Sequence, residues 1–130
     1  MTKCLFFWLP LVALLFACNS DRTMLTRDQL VKKWDMGAVI QNGQDVSEQH
    51  NPSGNRWIEL TADGSFVSDG DPYGRNTGTW TFDAETAELF LDSDAGEGDD
   101  SYWIVSENGE KLILKGARSE FTREFSMVWK

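Results

Sequence analysis

The chain has 130 residues, 21 Asp and Glu against 12 Lys and Arg, a formal net charge of −9 and a pI near 4.4. Its length bounds it to one folded domain. Its acidity argues against nucleic acid, which is met by a basic stripe, and against an electrostatic hold on anionic lipid heads. From Asp83 to Glu110 there are ten acids and no Lys or Arg, a pattern that reads as a solvated anionic face.

Met1-Thr2-Lys3 carries one positive charge and leads into an almost unbroken apolar stretch from Cys4 to Ala17. That stretch falls short of the about 20 apolar residues a spanning helix needs. It has the charged, apolar and small-residue parts of a secretory signal peptide. Leu15-Phe16-Ala17-Cys18 resembles the lipobox of bacterial lipoproteins. The resemblance implies removal of 1–17, a diacylglycerol on the Cys18 sulfur and a fatty acyl chain such as palmitate on the new amine. Two or more chains anchor stably where one holds only marginally, so the implied location is the cell envelope, at the outer membrane. A plain secreted protein, cut a few residues away, is the alternative. Cys4 would leave with the leader, so the mature chain keeps Cys18 alone and forms no internal disulfide. Residues 18–25 are then a tether and 26–130 the folded domain.

The stretch from Thr26 to Trp34 predicts a short helix over 26–33, with Thr26 as its cap and Gln29 completing a capping box. A strand follows at 34–40. Tryptophans then recur every 23 residues, at 34, 57, 80 and 103. Each of the last three opens a strand, a tight turn, a second strand and a Gly/Asp loop. Asn108-Gly109 and Asp63-Gly64 are strong hairpin turns, because these residues tolerate positive φ; 83–86 is a longer, weaker one. At the far end Phe121, Phe125, Met127 and Trp129 alternate with Thr122, Glu124 and Ser126, a half-buried strand. Strands are thus expected at 34–40, 56–61, 65–69, 78–82, 88–92, 101–106, 110–116 and 120–129.

Eight strands in simple succession suit an all-β, antiparallel, up-and-down barrel, which leaves no free edge. Its connections alternate in length. Those at 62–64, 83–87 and 107–109 are short, whereas those at 41–55, 70–77 and 93–100 are long, so the long ones gather at one end with 117–119. Such a mouth is where a small barrel binds.

Leu30 to Trp34 after a short helix, Trp57 to Phe66, Gly78 to Phe82 and Tyr102 to Leu114 together resemble the bacterial lipocalin-like lipoproteins. The resemblance implies an eight-stranded lipocalin-like barrel that binds a small apolar or amphipathic molecule. It also implies a basic residue near the last strand packed over the first-strand Trp34, for which Arg123 is the candidate.

Chemistry beyond binding has little to stand on. His50 is the single histidine, in a polar loop, and no nucleophile–base pair or zinc ligand set is present. No catalytic residue, metal or cofactor is therefore expected. The acidic run holding Asp92, Asp94, Asp99 and Asp100 fails the EF-hand pattern, which wants an oxygen ligand at position 5, Gly at 6 and Glu at 12. Trp57, Trp80 and Trp103 each follow a long loop and are candidates for an aromatic rim, joined by Tyr73 and Arg75; barrel packing is the other reading of the three tryptophans. Arg123, if it does not pack over Trp34, is a lone charge inside the barrel that needs a partner, and it counts with Trp57, Tyr73, Trp80 and Trp103 as a candidate ligand-binding residue. The segments Leu89 to Leu91, Tyr102 to Val105 and Leu112 to Leu114 are apolar on both faces. Part of the outer wall is thus expected under the 26–33 helix or a second copy. The rival function is a protein-interaction module, a filled barrel engaging another envelope protein.

Cys18→Ser should abolish incorporation of labelled fatty acid and leave the protein as precursor or released. Label in the mutant would disprove the lipoprotein reading.

Overall fold

The computed structural model describes residues 24–130; the expected leader, Cys18 and the tether up to residue 23 lie outside the described residues. Within 24–130 the elements are α1 (Arg27–Leu30), β1 (Lys33–Gln41), β2 (Gln44–Asp45), α2 (Ser47–His50), β3 (Trp57–Leu60), β4 (Ser65–Asp69), β5 (Asn76–Asp83), β6 (Glu88–Ser93), β7 (Ser101–Asn108), β8 (Lys111–Ala117), α3 (Glu120–Arg123) and β9 (Phe125–Trp129), with a 3₁₀ turn at Glu97–Asp99. The two residues of β2 fold back on the end of β1. The other eight strands pair antiparallel in chain order, and β9 pairs with β1 to close the barrel.

The expected alternation of connections holds. The long ones, including α2, the 70–75 loop, the acidic loop and α3, crown the mouth; the tight turns 61–64, 84–87 and 109–110 form the other, closed end. Inward positions follow period two: Ile58 and Leu60, Leu89 and Leu91, Trp103 and Val105, Leu112 and Leu114 are all buried. In β1 the inward set shifts from Trp34 and Met36 to Val39, because a bulge at Gly37 interrupts the register with β9.

Two expected boundaries move. The helix covers only Arg27–Leu30, since Val31 is already extended; Gln29 Oε1 does accept the Thr26 backbone N–H at 2.8 Å. The last strand starts at Phe125 instead of 120, because its first four residues wind into α3. Ser119 Oγ accepts the Thr122 backbone N–H at 2.9 Å and caps that turn. The turn crosses so close to Gly116 that a Cβ there would lie 1.8 Å from the Thr122 carbonyl oxygen. The apolar alternation of Phe121 with Phe125 is real, but the local cap overrides it.

The closed end is solid. Leu30, fully buried, enters the barrel floor beside Trp34, Leu60, Trp80, Leu89, Val105 and Leu112. The polar edges are satisfied: Trp34 Nε1 donates to the Leu30 carbonyl and Trp80 Nε1 to that of Thr61, each at 3.0 Å. Arg27 lies over the Trp80 ring at 4.3 Å and donates to the Ala62 carbonyl at 3.1 Å. So α1 plugs the floor rather than covering the outer wall. Among buried side-chain polar atoms of the described residues, Trp129 Nε1 has no protein partner.

The Asp63-Gly64 turn is fastened by its carboxylate. Asp63 Oδ1 accepts from Thr61 Oγ1 at 2.5 Å, Ser65 Oγ at 2.7 Å and Ser65 N at 3.0 Å. These bonds favour the charged form and hold its pKa at about 2, below the ordinary 3.8. Its contribution to stability is therefore complete above the unfolded value and is lost as pH falls through about 2. Asp63→Asn should melt below the native protein at neutral pH, and the gap should narrow as pH drops from about 4 toward 2. Thermal melts across that range test it; a gap independent of pH would refute the assignment.

Candidate functional site

The mouth half of the barrel is hollow. A cavity of about 370 Å³ opens there, with an apolar wall that includes Val39, Ile58, Phe66, Leu91, Trp103, Leu114, Met127 and Trp129. Its lip is polar and aromatic, carrying His50, Arg56, Tyr73, Asn76, Asp99 and Phe125. The wall arises because each strand turns its inward apolar position toward the axis. The hollow arises because α1 and the large closed-end side chains stop short of the mouth. Ser68 and Ser101, small residues facing the lumen, leave space that larger ones would fill.

The lip is an aromatic arc. Phe121 meets Phe125 edge-on at 5.3 Å, Phe125 meets His50 edge-on at 5.4 Å, and His50 stacks on Tyr73 at 6.0 Å. His50 Nδ1 and Tyr73 Oη are 2.5 Å apart. Arg56 closes the arc with its Cζ 4.8 Å over the Tyr73 ring, and its Nη1 donates to the His50 carbonyl at 2.8 Å. Burial lowers the Arg56 pKa from its ordinary value, although a guanidinium stays charged in proteins.

The four expected rim aromatics separate. Trp103 lines the cavity, with its Nε1 donating to Ser101 Oγ at 2.8 Å. Tyr73 stands at the lip, 60% exposed. Trp80 faces inward but deep at the closed end, a packing residue rather than a rim one. Trp57 is half-buried on the outer wall, where Lys33 Nζ sits 4.5 Å from its ring. The reason is depth and facing. Trp57 is the first residue of β3, Trp80 the fifth of β5 and Trp103 the third of β7, so equal spacing in sequence does not give equal height.

Arg123 is also displaced. It is exposed in α3 at the mouth, whereas the cation over Trp34 is Lys32, with Nζ 4.0 Å from the ring at the closed end. Arg75 borders a polar recess beside the cavity that also includes Arg56, Asp69, Tyr73 and Asp99. In the acidic loop, Asp94 accepts from Thr77 Oγ1 at 2.8 Å and Asp100 from Ser93 N at 2.7 Å, so both brace the loop. Among the described residues no group of three or more His, Cys, Asp or Glu is disposed to hold a metal.

Sequence reasoning expects binding at the mouth and weighs an open against a filled interior; what it misses is the placing of His50 and Arg56 at the lip. A signal for Arg56 existed: it shares parity with the buried Ile58 and Leu60, one step upstream of β3. Nothing in local sequence put His50 beside Tyr73, 23 residues away.

No family model matches the chain, and no curated protein matches it at a significant level. Among solved structures, the chain is similar to a DUF4847 family protein from Bacteroides vulgatus. The TM-score is 0.56 at 13% identity, over 77% of this chain and 92% of that one. At that identity the likeness concerns the barrel fold alone.

The two tryptophans that differ in facing should differ in energetic role. Trp103→Ala should lower the free energy of unfolding by about 3–5 kcal/mol, and Trp57→Ala, already half in water, by clearly less. Urea denaturation decides between this and the equal losses that two rim residues would give.

Proposed function

We propose that this protein is a lipid-anchored envelope lipoprotein, held through Cys18, that binds a small apolar or amphipathic molecule in the mouth-side cavity and performs no catalysis. The open apolar cavity of about 370 Å³ carries the reading. It lies within the range of about 300–1,000 Å³ of small-molecule sites, which are mostly apolar with a few placed polar groups. The aromatic lip supplies flat contact area, and the solid floor holds the wall in shape without occupying the lumen. Among the described residues His50 is held by the Tyr73 hydroxyl and by packing on Tyr73 and Phe125, and no carboxylate hydrogen-bonds to it. Lipid anchoring rests on the lipobox resemblance of Leu15 to Cys18.

A protein-interaction role draws on one separate observation. Phe90 and Tyr102 stack at 4.4 Å on the outer wall, and neighbouring Ile104 is 39% exposed. The hollow favours the small-molecule reading, since a pure docking module has no use for an empty lumen.

Residues 19–130, which contain the whole barrel, should bind the neutral probe N-phenyl-1-naphthylamine with enhanced probe fluorescence and quenching of Trp103. Ser68→Phe places a ring in the lumen and should abolish that binding while leaving the fold's circular dichroism unchanged. Equal binding by the folded Ser68→Phe variant, or none by the native chain, would refute cavity binding.

A further inference from the structure

The mouth holds a cation, Arg56, with no ion-pair partner among the described residues, at the edge of an apolar hollow. Among the described residues the one ion pair joins Arg118 and Glu88, so no carboxylate there comes within ion-pair distance of Arg56. Yet Arg56 belongs to a chain with 21 acids against 12 basic residues. Of its five guanidinium N–H donors, Nη1 supplies the one with a protein acceptor, the His50 carbonyl. Nε and Nη2 donate to no group among the described residues.

The side chain is also held in place. Its ring partner is Tyr73, and its own backbone N–H donates to Asn51 Oδ1 at 3.2 Å. The 70–75 loop presses on it through Gly70 (φ +119), where a Cβ would lie 2.5 Å from the Arg56 Cα. A half-buried, desolvated cation with spare donors is unfavourable unless something pairs with it. A planar guanidinium fork matches a carboxylate's two oxygens.

Building on the cavity-binding reading above, we propose that the ligand is a monoanionic amphiphile, its apolar tail in the hollow and its single carboxylate-type head on the Arg56 guanidinium. The tail meets Ile58, Leu91, Trp103 and Leu114 below. The head stays at the lip beside His50 and Tyr73. Asp99 lines the same cavity, and Asp69 shares the adjoining recess with Arg56. A second negative charge on the ligand would face these two carboxylates, so one charge is the fit.

Dodecanoate, 1-dodecanol and dodecyltrimethylammonium share a tail and differ in head. Displacement of N-phenyl-1-naphthylamine from 19–130 at neutral pH should rank dodecanoate first, about ten-fold or more ahead of dodecanol, with the cation weakest. Arg56→Gln should erase that lead by weakening dodecanoate alone, and Arg56→Lys should restore only part of it. Equal displacement by dodecanoate and dodecanol from the native chain overturns the head-group assignment while leaving cavity binding intact. The head-group assignment also falls if Arg56→Gln weakens both ligands and the probe together, which marks Arg56 as a brace for the 50–56 loop. Failure of the native chain to bind the probe or any of the three overturns the cavity reading itself, and this one with it. The native ranking requires no variant to fold.

Discussion

The pairing of the first strand with the last is the contact on which the rest depends. Residues 38–41 of β1 run against 125–128 of β9, Met36 stands opposite Trp129, and backbone bonds between Asp35 and Lys130 at 2.8 and 2.9 Å lock the bottom. Without it the eight strands are an open meander with two unpaired edges, exposed to association with other chains. With it, the inward side chains are forced toward a common axis, and a lumen exists at all. It is also the longest-range strand pairing in the barrel, so its closure carries the largest loop entropy of any pairing in the sheet.

Closure alone does not decide what fills the lumen. At the floor, α1 delivers Leu30 beside the indoles of Trp34 and Trp80, each ring tied to a backbone carbonyl. Those rings are too large to leave a void and too well bonded to swing upward. Toward the mouth the inward set includes Ser68 and Ser101, and the loops supply polar groups rather than bulk. One barrel thus carries its packing at one end and its free space at the other. The interior contrast between filled and hollow barrels is resolved along the axis, with each description true of one half.

Much of this architecture was legible in the sequence, for identifiable reasons. Tight turns such as Asp63-Gly64 declare themselves locally, the turn expected at Asn108-Gly109 falls one residue on at Gly109-Glu110 with Asn108 ending β7 opposite Lys111, and period-two alternation marks most of the inward residues. Loop lengths alternate, which separates mouth from floor before any contact is known. The site was less legible because it depends on depth and on partners far apart in sequence. The even tryptophan spacing is a repeat of hairpins, not of heights, so Trp57 ended outside, Trp80 at the floor and Trp103 in the wall. Phe121 looked like the start of a strand because its alternation with Phe125 is genuine; the Ser119 cap and the absence of a side chain at Gly116 turned that segment into α3. Arg123 went with it, and Lys32, adjacent in sequence to the helix, took the place over Trp34 by simple proximity.

Because α1 enters through the floor, the chain has a polarity relative to whatever holds its N-terminus. Eight residues, 19–26, separate Cys18 from α1 and reach at most about 26–29 Å. If Cys18 carries the lipid, as proposed, a barrel tethered in this way would stand on its plugged base, with its opening directed away from the bilayer. Cargo would then be exchanged with the aqueous side or with another protein arriving from above, and not by lateral entry from the acyl chains beneath. The same plug that gives the fold its rigidity would be a stopper between membrane and lumen.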